Sequence, residues 1–119
     1  MSDLIKSKSF YIDKLGAELY REYGDSVVLE FLDNWILLVL PGGPTDDKPD
    51  IYYKIPQDLS TVSHSFTIRV QNCKESYDIL EARGVLFITP PKARGSEVRC
   101  FFKDPDGHLF EISEYKQTG

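Results

Sequence analysis

The chain has 119 residues, 41% of them hydrophobic and 13% aromatic, the size of one domain with enough apolar side chains for a core. Fourteen Lys and Arg against nineteen Asp and Glu give a net charge of −5, which argues against nucleic acid as a partner because phosphate backbones need a basic footprint. No apolar run approaches the roughly 20 residues that span a bilayer, and MSDLIKSK lacks the basic-then-apolar order of a secretion signal, so a cytoplasmic protein with no membrane partner is expected.

Asp3 is placed to cap a helix, and Leu4, Ser7, Phe10 or Tyr11, and Leu15 follow at helical spacing. Gly16 suits its end. Strands are expected over 17–23, 26–32 and 35–40, with Gly24-Asp25 and Asp33-Asn34 as the turns of a meander. The stretch WILLVL is apolar on both faces and reads as a strand in the middle of a sheet. Residues 41–61 hold four of the seven prolines together with Gly42 and Gly43, and read as a connector. Next comes SFTIRV, with Phe66, Ile68 and Val70 alternating against Ser65, Thr67 and Arg69. Asn72 caps a second helix, with Glu75 three residues on. Tyr77, Leu80 and Ile79 form its apolar stripe, and Gly84 ends it. Three more strands are expected near 85–89, 97–103 and 108–115. The stretch from Pro90-Pro91 to Gly95-Ser96 and the DPDG turn separate them.

The two halves repeat: helix, glycine, then three strands occurs twice, Asp3 to Gly16 matching Asn72 to Gly84. The second helix follows a strand, whereas the first follows only Met1 and Ser2. If each unit is β-α-β-β-β, the first lacks its opening strand.

SDLIKSKSFYIDKLGAEL resembles the first helix, and RCFFKDPDGHLFEISE the closing hairpin, of the vicinal oxygen chelate superfamily, which includes glyoxalase I, extradiol dioxygenases and the fosfomycin- and bleomycin-resistance proteins. The likeness runs over nearly the whole chain, and the closing hairpin is its most specific part. It implies an α+β fold in which paired β-α-β-β-β modules form curved sheets around a small-molecule cavity. In metal-dependent members, His, Glu or Gln side chains from the first and last strands of each module hold the metal, which would stabilise a developing enolate or alkoxide.

Those ligand positions are poorly filled. The opening strand of module one is missing, and residues 35–40 contain no acid, amide or imidazole. In the opening strand of module two, His64 shares the phase of the packing set Phe66, Ile68 and Val70, so Ser65 takes the position facing the cavity. His64 could ligate only through a bulge or a one-residue slip. Glu111 is expected to face the cavity, with Phe110 and Ile112 on the packing face. One carboxylate makes a weak metal site; without a metal it needs a cation, and Arg69 and Arg99 are candidates.

Other chemistry is less well supported. Cys73 and Cys100 form neither a disulfide framework nor a zinc motif and read as free thiols, although Cys73 sits at a helix start. Gly42-Gly43 and DPDG are turns rather than phosphate loops. Tyr52 and Tyr53 lie in the connector and suit packing, the cavity mouth or an interface. Lys92, Arg94 and Lys103 around the closing hairpin read as a solvated rim, or as a site for an acidic ligand.

The expectation is one domain over 1–119, with module one at 1–40, a connector at 41–61 and module two at 62–115. It binds a small molecule in a pocket lined by Ser65, Thr67, Arg69, Leu109, Glu111 and Ser113. No complete metal site and no cofactor are expected, and the chain is expected to form a homodimer. Two alternatives stay open. One is a metal-dependent lyase, dioxygenase or thiol transferase, with His64 turned inward or ligands supplied by a partner chain. The other is a non-catalytic remnant or truncated chain with open sheet edges.

Overall fold

Capping starts both helices where the sequence places them. In the computed structural model, which describes residues 1–50, 52–55, 58, 60, 62 and 64–115, the Asp3 carboxylate accepts from Lys6 N at 3.1 Å and opens α1 (Leu4–Ser9). Asn72 Oδ1 accepts from Glu75 N at 2.9 Å and opens α2 (Cys73–Ala82). Each satisfies one of the orphan amides of a first turn. α1 widens into a π turn over Phe10–Lys14, and the neighbours Phe10 and Tyr11 are both buried. Gly16 and Gly84, at φ 83° and 94°, follow the two helices in the left-handed region that favours glycine.

The chain divides into two compact units, Met1–Asp58 and Leu59–Gly119. In the first, β1 (Glu18–Glu22), β2 (Ser26–Phe31) and β3 (Asn34–Val39) form an antiparallel meander in the order β1-β2-β3. Leu29, Leu38, Val27, Phe10, Tyr11 and Leu15 are buried in this unit. In the second, β4 (Ser65–Arg69), β5 (Lys92–Arg94), β6 (Glu97–Lys103) and β7 (Leu109–Tyr115) take the order β4-β7-β6-β5. β4 is parallel to β7 and the other pairings are antiparallel. α2 packs on β6 and β7, over a core that includes Cys73, Val85, Cys100, Phe102, Phe110 and Ile112. The repeat extends to single bonds: Val70 N donates to Ser113 O at 2.9 Å two residues before the Asn72 cap, and Met1 N donates to Val39 O two residues before the Asp3 cap.

Four expectations need correcting. WILLVL is not central: among the described residues β3 pairs only with β2 and ends the sheet, leaving Trp35 67% and Leu37 54% exposed. An apolar second face suits a covering layer, and among the described residues the face of β3 that carries Trp35 and Leu37 is left largely open. The β2–β3 turn residues are Leu32 and Asp33, both at positive φ, because Asn34 already pairs with Phe31. Ile79 is half-exposed, while Cys73 is fully buried on the stripe with Tyr77 and Leu80; positions 73, 77 and 80 follow the three-and-four spacing of one helix face, and 79 does not. Residues 85–89 make one bridge, Phe87 to Phe102, rather than a strand. The strand forms instead at Lys92–Arg94, where a two-residue Gly95-Ser96 turn folds it onto β6, with Arg94 opposite Glu97 and Gly95 at φ 60°.

The DPDG turn is built around the buried Asp104. Its Oδ1 accepts from Asp106 N at 2.9 Å and from His108 N at 2.8 Å, and Gly107 takes φ 92°. Asp104→Ala leaves both amides without that acceptor and is expected to lower unfolding free energy by about 1–3 kcal/mol. Urea denaturation reads this as a lower midpoint at unchanged slope.

Candidate functional site

Strand alternation gathers the expected site residues. The registers set Ser65 opposite Leu109, Thr67 opposite Glu111 and Arg69 opposite Ser113. On the other side of β7, Phe101 lies opposite Glu111, Arg99 opposite Ser113, and Lys92 of β5 opposite Arg99. Because side chains alternate between faces, all of these share one face. Phe66, Ile68, Phe110 and Ile112 take the other, the face of α2's buried Cys73.

Glu111 is central on that face and 8% exposed. Its Oε1 accepts from Thr67 Oγ1 at 3.0 Å, and its Oε2 lies 3.6 Å from Arg99 Nη1. Of the two candidate cations, Arg99 is therefore the one that pairs with it. Arg69 instead donates through Nη1 to Ser113 Oγ at 3.1 Å, and Ser113 donates to Glu97 Oε2 at 2.6 Å. The two chains of contact, Thr67–Glu111–Arg99 and Arg69–Ser113–Glu97, give both shielded polar groups of the face a partner. Ser65 is exposed and Leu109 partly buried.

A hollow of about 360 Å³ opens on the same face beyond Glu111. Lys92, Arg94, Arg99, Phe101, Leu109 and Ile88 line it. Of the six residues expected in a pocket, only Leu109 lines this hollow. The sequence signal for the rest was the basic set at 92–94, whose depth depends on β5 folding onto β6. A second hollow, of about 640 Å³, lies in the first unit among Glu18, Glu30, Phe31, Asp33 and Trp35; the sequence reading did not single it out.

His64 stands at the start of β4 with its ring edge-on to Phe66, the centroids 5.3 Å apart. Its centroid is 6.2 Å from that of His108, which the sequence reading passed over. Glu111 lies opposite Thr67, in the other phase. Among the described residues no three His, Cys, Asp or Glu side chains gather closely enough to hold a metal. The Glu111 carboxylate is already engaged by Thr67 and Arg99. Among the described residues of this one chain, Glu111 is thus not joined by the two further His, Cys, Asp or Glu side chains that such a metal centre would need.

The cysteines are buried and free, with Sγ atoms 3.8 Å apart between α2 and β6. Burial pushes the Cys100 thiol up to about 12, and the neighbouring Cys73 adds to this. Burial likewise raises Cys73. Although Cys73 begins a helix, that helix end is already satisfied by Glu114 Oε1, which accepts from Cys73 N at 2.9 Å. Neither thiol is the activated nucleophile that a low pKa would mark. Tyr52 and Tyr53 are exposed; Tyr53 bridges to Gly42 and lies under the Lys48 ammonium, 4.7 Å from its ring centroid.

A family model described as the Glyoxalase/Bleomycin resistance protein/Dioxygenase superfamily matches residues 1–112. The chain belongs to this superfamily. Within it, the chain is 29% identical over 112 residues to the glutathione transferase FosA of Serratia marcescens, an alignment covering 94% of this chain and 73% of that one. It is 28% identical over 137 residues to a probable lactoylglutathione lyase of Vibrio parahaemolyticus, covering 99% and 87%. The fold matches the crystal structure of a glyoxalase/bleomycin resistance protein/dioxygenase from Nocardioides with a TM-score of 0.81 at 21% identity, over 100% of this chain and 80% of that one. An antibiotic-binding protein from a Streptomyces species matches with a TM-score of 0.69 at 20% identity, over 98% and 89%. Superfamily membership supports a small-molecule-binding role and the α+β fold that the resemblance implied. Among the described residues, no helix is long and apolar enough to cross a membrane.

Proposed function

We propose that this chain binds a small molecule on the β4–β7–β6 face without a metal, using Glu111 as a fixed polar anchor. The observation that carries this reading is the engagement of Glu111 by Thr67 and Arg99 in the middle of a face that also presents Ser65, Arg69, Leu109 and Ser113. A pre-ordered carboxylate beside an apolar wall orients a ligand at little entropic cost. A homodimer belongs to the same reading: among the described residues, β3 and β4 each pair with one neighbouring strand only, and open edges favour association. A metal-dependent lyase or thiol transferase is the rival reading, favoured by the names of the two relatives. It requires Glu111 to hold an ion together with His64 turned inward, or with ligands supplied by a partner chain.

The two readings part on metal content. Protein purified without chelator and then dialysed against Mn²⁺ or Zn²⁺ is expected to retain well under one ion per chain by elemental analysis. One ion per chain that is lost in Glu111→Gln would overturn the metal-free reading. Sedimentation of the same sample tests assembly, where a monomer at micromolar concentration would remove the homodimer.

A further inference from the structure

We infer that the hollow beyond Glu111 takes an acidic small molecule, an organic anion carried on a flat apolar body; this rests on the small-molecule reading above and names its ligand class, with Glu111 anchoring Arg99 at the rim rather than meeting the anion itself. The hollow has about 360 Å³, at the small end of the range for small-molecule sites. Three cations line it, Lys92, Arg94 and Arg99, in a chain whose net charge is −5. Cross-strand register holds Lys92 opposite Arg99 on one face. Like charges placed directly opposite each other destabilise a sheet pair, and an anion between them removes that cost.

The carboxylates on this face do not satisfy the cations. Glu97 stands opposite Arg94 in the register but turns to accept the Ser113 hydroxyl, and no ion pair closes between the two within 4 Å. Glu111 accepts from Thr67 and reaches only Arg99, at 3.6 Å, longer than a charged hydrogen bond. Among the described residues Lys92 and Arg94 have no ion-pair partner within 4 Å. The Arg99 guanidinium also lies 5.6 Å from the Phe101 ring centroid, so its planar fork stays beside an apolar surface with donors available. Phe101, Ile88 and Leu109 supply the wall against which a flat body packs. A cationic ligand would meet three positive groups and a carboxylate already in use.

Three probes of matched shape test this: phenylphosphonate, benzoate and neutral benzamide, each titrated into the ¹⁵N-labelled full chain. Both acids are expected to shift the amides of 92–94 and 99–101 saturably, with benzamide at least tenfold weaker. Raising salt should weaken the acids and leave benzamide unchanged. The double variant Lys92→Gln/Arg94→Gln is expected to lose at least tenfold in acid affinity while its melting temperature does not fall. Equal binding of benzamide at these amides would overturn the acidic ligand class while leaving the small-molecule reading intact. Acids that bind equally to the double variant would overturn the hollow as the site. If no probe shifts any amide, the hollow is not an anion site, while the small-molecule reading of the Glu111 face stands or falls on the metal analysis above.

Discussion

Phe102→Ala is expected to remove about 3–5 kcal/mol of unfolding free energy, the cost of truncating a fully enclosed aromatic. Phe102 has no exposed surface. Its ring stacks on Phe110 at 5.2 Å with 7° between planes and meets Phe87 edge-on at 5.3 Å. The Phe87 ring in turn lies 4.7 Å from that of Tyr77 on α2. One side chain thus joins β6 to β7 and to the 85–89 segment, which has a single bridge to the sheet, at Phe102 itself. Domains of this size are typically stable by only about 5–15 kcal/mol, so the variant loses a large share of the total. The check is a urea titration followed by far-ultraviolet circular dichroism. A loss below about 1 kcal/mol would mean that the aromatic stack does not hold this unit together.

Alkaline pH is expected to destabilise the protein through Cys100. An unperturbed thiol ionises near 9, and burial raises this one to about 12. Above pH 9 the unfolded chain gives up the thiol proton while the folded chain keeps it. The unfolded state then binds fewer protons, and stability falls as pH rises. The contribution is complete below pH 9 and is lost progressively as pH climbs towards 12. At about 1.4 kcal/mol per pH unit, the loss from this group reaches roughly 2 kcal/mol near pH 10.5. Cys100→Ala leaves a small cavity whose cost is the same at every pH, so it should lower the stability curve and flatten its fall above pH 9. Urea midpoints at pH 8, 9, 10 and 10.5 for both proteins separate the two effects. Parallel curves would show that the thiol is not shielded.

Local chemistry was legible in the sequence, and lateral neighbours were not. The Asp3 and Asn72 caps, the glycines after both helices and the DPDG turn depend on residues a few positions apart. The phase of β7 follows from alternation alone, which was enough to put Glu111, Thr67 and Ser65 on one face. Choosing Arg99 over Arg69 as the partner of Glu111 required the β6–β7 register. Lys92–Arg94 has no apolar alternation and becomes a strand because Gly95-Ser96 returns it to β6. VLFIT has strand composition, but Leu86 and Ile88 stand 86% and 58% exposed, and only Phe87 bridges to the sheet. The approach of Cys73 to Cys100 spans 27 residues of sequence, which no periodicity reports.

The bond from Met1 N to Val39 O has a practical consequence for handling the protein. It occupies the place that the Val70 N to Ser113 O bond occupies in the second unit, where the preceding residues Ser65–Arg69 run parallel to β7. Residues fused ahead of Met1 would therefore emerge at β3, heading along it. An affinity tag with alternating apolar residues is expected to compete for that open edge of β3 more strongly than a glycine-serine leader, which has no side chains to pack there. The choice of tag at this end is a structural decision.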